Sequence, residues 1–349
     1  MTRQGVELGQ KIQALWLPTS YESELFGPQR LVENFPGLRP FDRLGVALRD
    51  NFPRYCGHVV IGAIGLTVRL IAPLIKDKRS DPAVVGLGQD GQYAVSLLSG
   101  HLGGANALTE AVALALGGQA VITTATDLKG QPALEVLAQQ LNLAIEGWSN
   151  LAPLARALAE GEPIPLNDPW GILTKAIKPW PDSFKPFAPE TSEPGLWVDY
   201  QNPAPERCLI FRPRVLVVGL GGHRGVLTGE LEDWLNLVFL DNNLARLSIH
   251  SLATIDRRAQ EPGFVELAKK LNVPLLSFSP ETLATVSPPN PSPIVRVNIG
   301  VDSVCEAAAL LGAQTGRLLV PKRKSTRVTC AVALKSLNSL DSDLVTPRG

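Results

Sequence analysis

Sulfur, histidine and any excess of one charge are scarce in this sequence. Its 349 residues include four cysteines, one methionine and four histidines, and 33 basic side chains offset 33 acidic ones. Cys56, Cys208, Cys305 and Cys330 are scattered, with no CxxC pair. That argues against a disulfide framework or a zinc cluster and suits a reducing, cytoplasmic compartment. The balanced charge leaves no basic footprint for nucleic acid or an acidic membrane surface. No apolar run reaches the roughly 20 residues that span a bilayer, and the N-terminus lacks the apolar stretch of a signal peptide. HExxH, GxSxG and Walker patterns are missing. A metal site would need His101, His223, His250 or carboxylates from distant segments, and nothing in their spacing supports one.

What is present is concentrated between Gly62 and Asn106. An apolar run, Val59 to Ile61, leads into Gly62 and Gly65. Thr67 and Arg69 follow, then Lys76, Asp77, Lys78, Arg79 and Asp81. A second strand-like run, Tyr93 to Leu98, ends in Ser99, Gly100, His101, Leu102, Gly103 and Gly104, and a helical pattern starts at Ala105. Strand, glycine-rich loop and helix start together suit an anion, because the first helical N–H groups lack internal partners and carry a positive partial charge.

The rest of the chain alternates strand and helix patterns, which predicts an α/β fold: two α/β layered domains joined by a smaller central one. The boundaries fall at 1–130, 131–212 and 213–336, with a polar tail from 337 to 349 read as disordered. Lys11 to Leu17 reads as a buried strand ended by Pro18. Pro82 to Val85 and Tyr93 to Leu98 form a hairpin about Asp90-Gly91. Pro163 to Pro213 is dense in proline and carries Trp170, Trp180 and Trp197. It reads as an irregular domain, or as a linker. In the last domain, strands are expected at Arg214–Val218 and Leu247–Ala253, with a helix at Gly229–Val238 capped by Thr228.

Several side chains invite chemistry. His101 lies in a loop, where it can act as general acid or base near neutral pH; the plainer alternative is a histidine that only bonds backbone. Arg69 can grip a carboxylate bidentately, whereas Arg79 reads as a solvated charge. Asp77 and Asp81 could activate water, orient His101, or pair with the lysines. Thr123, Thr124, Thr126 and Asp127 follow a strand, where open α/β sheets bind ligands; turn capping explains them as well. The stretch Gly219 to Gly225, followed by Asp241, suggests a dinucleotide fingerprint, but its spacing is GxGxxxG and the segment before Asp241 looks helical. A backbone, His223 or Arg224 contact to an anionic substrate is the better reading there. Glu306 faces either a ligand or solvent.

The runs GAIGLTVRLIAPLIKDKRSDPAVV, LLSGHLGGAN and VITTATD resemble the CbiG family of cobalamin biosynthesis, whose members are cobalt-precorrin 5A hydrolases. VVGLG, ATIDRRAQEPG and IGVDSVCEAAAL extend the likeness to the C-terminal part. Gly222 and His223 depart from it, standing where the family usually has a cysteine and a basic residue. The resemblance implies opening of the macrocycle's δ-lactone and loss of a two-carbon fragment as acetaldehyde, giving cobalt-precorrin 5B. It implies a tetrapyrrole substrate that brings its own chelated cobalt, no organic cofactor, and neighbouring methyltransferases of the same pathway as partners. On this substrate His101, with Asp77, would activate water, and Lys78 or the N–H groups of Gly103 and Gly104 would stabilise the oxyanion. Substrate contacts would come from Thr67, Arg69, Ser99, Gly100, Asn106, Thr123, Thr124, Asp127, Gly221, His223, Arg224 and Glu306. A non-catalytic corrinoid carrier and a nicotinamide-dependent oxidoreductase are the competing readings.

Overall fold

The computed structural model describes residues 2–16, 22–77, 80–123, 133–176, 182–190, 192–292, 301–315 and 317–335. The chain divides into two compact units, with the boundary between Leu137 and Ala138.

In the first unit α1 (Arg3–Trp16) is followed by a short parallel pair, β1 (Phe26–Pro28) and β2 (Arg39–Phe41), and by α2 (Leu44–Asn51). Next come β3 (Gly57–Ile61), α3 (Ile64–Ile71), β4 (Ala83–Leu87), β5 (Tyr93–Leu98), α4 (Ala105–Leu116) and β6 (Gln119–Val121). Strands β3 to β6 form one sheet in sequence order, parallel except for the β4–β5 pair. β4 is Ala-Val-Val-Gly-Leu, buried throughout. A continuous apolar run marks a strand covered on both faces. On one face Ile12 of α1 and Val112 and Ala113 of α4 pack on Ile61, Val85 and Leu87. On the other Leu48, Phe52 and Ile71 pack on Val60 and Val84. The hairpin between β4 and β5 turns at Gly91, whose φ of +72° favours glycine.

The expected strand at Lys11 to Leu17 is instead the second half of α1. Val6, Gly9 and Ile12 are buried along one side, a period near three that belongs to a helix; the first half of the pattern lies before Lys11. Leu17 is outside the described residues. Pro73 sits in the 3₁₀ turn Ala72–Leu74 that follows α3.

The second unit holds two five-stranded sheets. The first joins β7 (Leu143–Glu146), β8 (Ile164–Asn167), β9 (Phe184–Pro186), β10 (Gly195–Val198) and β11 (Cys208–Pro213) in the order β7-β11-β10-β8-β9. The proline-dense segment therefore supplies four strands of a sheet, where an irregular domain is expected from its composition. Pro186 and Pro213 close their strands, and β8 and β10 are only four residues long, too short to show a period. Arg212, fully buried, holds this region together. It donates to Glu146 (2.7 Å), to the carbonyls of Asp199 (3.0 Å) and Gln201 (2.6 Å), and to Asn202 Oδ1 (2.6 Å).

The second sheet comprises β12 (Leu216–Gly222), β13 (Ile249–Ile255), β14 (Leu275–Phe278), β15 (Leu318–Lys324) and β16 (Val328–Leu334), ordered β14-β13-β12-β16-β15. β12, β13 and β14 run parallel, and β16 is antiparallel to β12. The helix Val304–Ala313 lies so close to β12 that a Cβ on Gly219 would stand 1.8 Å from the Cys305 carbonyl. The helix Thr228–Asp241 is not capped by Thr228. Its end is closed by Glu230, which accepts from the Leu227 N–H at 2.9 Å, while the Thr228 hydroxyl donates to Glu266 at 2.6 Å.

Candidate active site

The loop between β5 and α4 is built by its own backbone. Ser99 and Gly104 adopt left-handed φ values of +58° and +82°. The Gly104 N–H donates to the His101 carbonyl (2.9 Å), the Ala105 N–H to Ser99 (3.1 Å) and the Asn106 N–H to Gly100 (3.0 Å). The loop's carbonyls thus occupy N–H groups expected to meet an anion, and Gly104 leaves the set of free oxyanion donors. The glycines also answer first to packing. A Cβ on Gly103 would lie 2.3 Å from Ser99 Cβ, and one on Gly100 2.7 Å from Asn106 Oδ1.

Side chains fix the loop to its neighbours. The Ser96 hydroxyl donates to Asn106 Oδ1 (2.7 Å), and the Ser99 hydroxyl donates to the Asp81 carbonyl (2.9 Å). Asp81 is buried, and its Oδ2 accepts the N–H groups of Lys76 (2.9 Å) and Asp77 (3.0 Å). Asp81 therefore shapes the basic turn and places it beside the loop. Lys78 and Arg79 lie outside the described residues.

His101 is mostly buried. Its Nδ1 stands 3.2 Å from Glu135 Oε1, with side-chain exposures of 18% and 12%. A carboxylate facing this histidine is thus Glu135, whereas the Asp81 carboxylate is engaged with the turn. Glu135 is in the first turn of the helix Leu134–Gln140, 34 residues on, and no local spacing links it to His101.

Other expected contacts are placed less uniformly. Thr67 is buried, with its hydroxyl donating to the Ala63 carbonyl at 3.4 Å. Arg69 and Lys76 are exposed, as is Thr123; Thr124, Thr126 and Asp127 lie outside the described residues. In the second unit His223 and Arg224 are exposed. The His223 N–H donates to the Arg327 carbonyl (3.0 Å), and Arg327 returns a hydrogen bond to the Arg224 carbonyl (3.4 Å). Gly221 faces Thr329. Glu306 faces neither solvent nor an open site. It is fully buried and accepts from the Asn290 N–H (3.0 Å), Asn290 Nδ2 (2.7 Å) and the Lys322 N–H (2.8 Å), joining a loop to β15. Asp241 ends a helix and is bonded to Arg323 at 3.1 Å; a ribose-binding acid belongs at a strand end, so Asp241 does not stand where that fingerprint places its acid. Among the described residues no cluster of three or more His, Cys, Asp or Glu could hold a metal ion, and no helix is long and apolar enough to cross a membrane.

The fold and site define a class: an α/β chain with a carboxylate-backed histidine in a glycine loop. Three family models narrow it, matching residues 46–127 (cobalamin synthesis G N-terminal), 132–213 (cobalamin biosynthesis central region) and 216–333 (cobalamin synthesis G C-terminus). The chain belongs to the CbiG family. It is 33% identical over 349 residues to the cobalt-precorrin-5A hydrolase of Salmonella typhimurium, covering 96% of each chain. It is 32% identical over 306 residues to the enzyme of that name from Priestia megaterium, covering 82% of this chain and 80% of that one. A crystal structure titled as a putative cobalamin biosynthesis protein G homolog from Sulfolobus solfataricus is 19% identical over 96% of this chain and 95% of that one, with a TM-score of 0.36.

Proposed function

We propose that the protein hydrolyses cobalt-precorrin 5A in cobalamin biosynthesis. The observation that carries this reading is the likeness along nearly the whole chain to two hydrolases of that name, with the Leu97 to Asn106 motif folded as one bonded unit.

The chemistry follows from the substrate class. Water adds to the lactone carbonyl, and the ring opens to a carboxylate and an alcohol. The alcohol loses its proton as its carbon–carbon bond to the macrocycle breaks. Acetaldehyde leaves, and the bonding electron pair stays in the macrocycle. That electron count closes without an organic cofactor, and cobalt enters chelated in the substrate.

His101 is the base in this reading. Glu135 faces Nδ1, so the tautomer that donates Nδ1–H to Glu135 carries its basic lone pair on Nε2. Glu135 also stabilises the imidazolium formed when water gives up its proton. Asp77 remains a second candidate base in the neighbouring turn. Lys78 and the Gly103 N–H are the oxyanion donors. Arg69 and Lys76 meet peripheral carboxylates, with Ser99, Gly100 and Asn106 holding the loop's shape. Thr123, Thr124 and Asp127 are further carboxylate contacts. Methyltransferases acting before and after this step are the partners.

Anaerobic incubation of the purified protein with cobalt-precorrin 5A, trapping released aldehyde, tests the reading. Stoichiometric acetaldehyde is expected. Macrocycle bound without acetaldehyde would make the protein a corrinoid carrier instead.

A further inference from the structure

A cavity of about 490 Å³ lies within the first unit, under the β1–β2 pair, between α1, α2, β3 and the start of α4. Its size falls within the roughly 300–1,000 Å³ of small-molecule sites. Ile12, Leu44, Leu48, Val59 and Leu108 supply apolar wall, and Gly103 and Gly104 close one end. The wall's chemistry differs from what the hydrolase substrate needs. No lysine or arginine is among the described lining residues, whereas Glu22 and Glu24 are. Glu24 accepts from the Tyr55 hydroxyl and pairs with Arg39, so its charge is held at the rim. A polycarboxylate macrocycle would meet Glu22 and Glu24 with no lysine or arginine among the described lining residues, an arrangement that costs binding energy.

One polar feature of the wall is His58. Its Nε2 lies 3.3 Å from the Phe52 carbonyl. A carbonyl only accepts, so Nε2 carries the proton and Nδ1 presents a lone pair. The ring is stacked on Phe52 (5.5 Å between centroids, 6° between planes), with Tyr55 edge-on at 6.0 Å. Burial lowers the pKa of His58, which keeps the ring an acceptor near neutral pH.

The geometry points to a second binding site, for an uncharged aromatic molecule that carries one hydrogen-bond donor. The apolar walls take the ring, Tyr55 and His58 in the wall offer aromatic contacts, and His58 Nδ1 accepts the donor. The site is independent of the hydrolase reading, although Gly103 belongs to both.

Indole is a suitable probe. Titrated into the full chain and followed by calorimetry or ligand-observed NMR, it should fill one saturable site per chain. His58→Phe keeps the stack and removes the acceptor, and should weaken binding about tenfold, the loss of one hydrogen bond. Ala47→Trp fills the cavity and should abolish binding, with circular dichroism confirming the fold; His58→Phe keeps the test decisive should the bulkier variant unfold. Absence of saturable binding overturns the proposal. So does benzoate binding as tightly as indole, indole binding unchanged in both variants, or displacement of indole by a polycarboxylate corrinoid, which would put the macrocycle itself in the cavity.

Discussion

His101 and Glu135 are where residue chemistry meets the proposed reaction. His101→Ala should lower kcat by about 10²–10⁴-fold, the usual contribution of a positioned acid–base group. Glu135→Gln retains the shape but not the charge. It should lower kcat by at least about tenfold, leave KM near the wild-type value and displace the pH profile; a stability defect alone would leave that profile in place. Glu306 serves stability and not the site. Glu306→Ala removes the buried acceptor of the Asn290 and Lys322 N–H groups and should destabilise the second unit by about 1–3 kcal/mol in urea denaturation. His58 gives the fold a pH dependence. Its folded pKa is below the unfolded value because burial disfavours the charged ring. The unfolded chain therefore binds more protons between the two values, and stability rises with pH there. The contribution is complete above about pH 6.5, the unfolded value, and is lost as pH falls through it towards the folded pKa. Melting curves across pH 5 to 8, on the order of that range, should show this slope in the wild type and a flatter one in His58→Phe.

At the scale of elements, long or strongly marked patterns were legible in the sequence and short ones were not. Tyr93–Leu98 has the bounds that its apolar run and flanking turn residues predict, and the helix after it starts at Ala105 as its pattern does. The central sheet was hidden because strands of three to six residues carry no readable period among prolines. The start of α1 was missed because its buried stripe is sparse and includes Gly9. The motif loop was legible as a feature but not in its wiring. Sequence shows that glycines are present, whereas only the fold shows that Gly103 packs on Ser99 and that Gly104 donates to His101. Glu135 could not be inferred, since contact across 34 residues leaves no local trace. The wiring makes a prediction. Gly103→Ala forces Cβ onto Ser99 and Gly104→Ala strains a φ of +82°. Each should destabilise the first unit by about 1–3 kcal/mol and lower turnover, read by thermal melts and initial rates in parallel.

At the scale of the molecule, scarce sulfur becomes a useful probe. Cys56 is exposed while Cys208, Cys305 and Cys330 are buried, and burial raises the last three thiols away from the reactive thiolate. A disulfide reagent under native conditions should modify one thiol per chain quickly, and the remaining three only on unfolding; Cys56→Ser should remove the fast phase. The central claim is that the chain opens and cleaves its tetrapyrrole substrate with His101 as the base. The most direct measurement is acetaldehyde release from cobalt-precorrin 5A under anaerobic conditions, comparing wild type with His101→Ala at matched macrocycle binding. The account predicts release from the wild type and a loss of about 10²-fold or more in the variant. Equal release from both would contradict the role of His101, and none from either, with the macrocycle bound, would contradict the hydrolase itself.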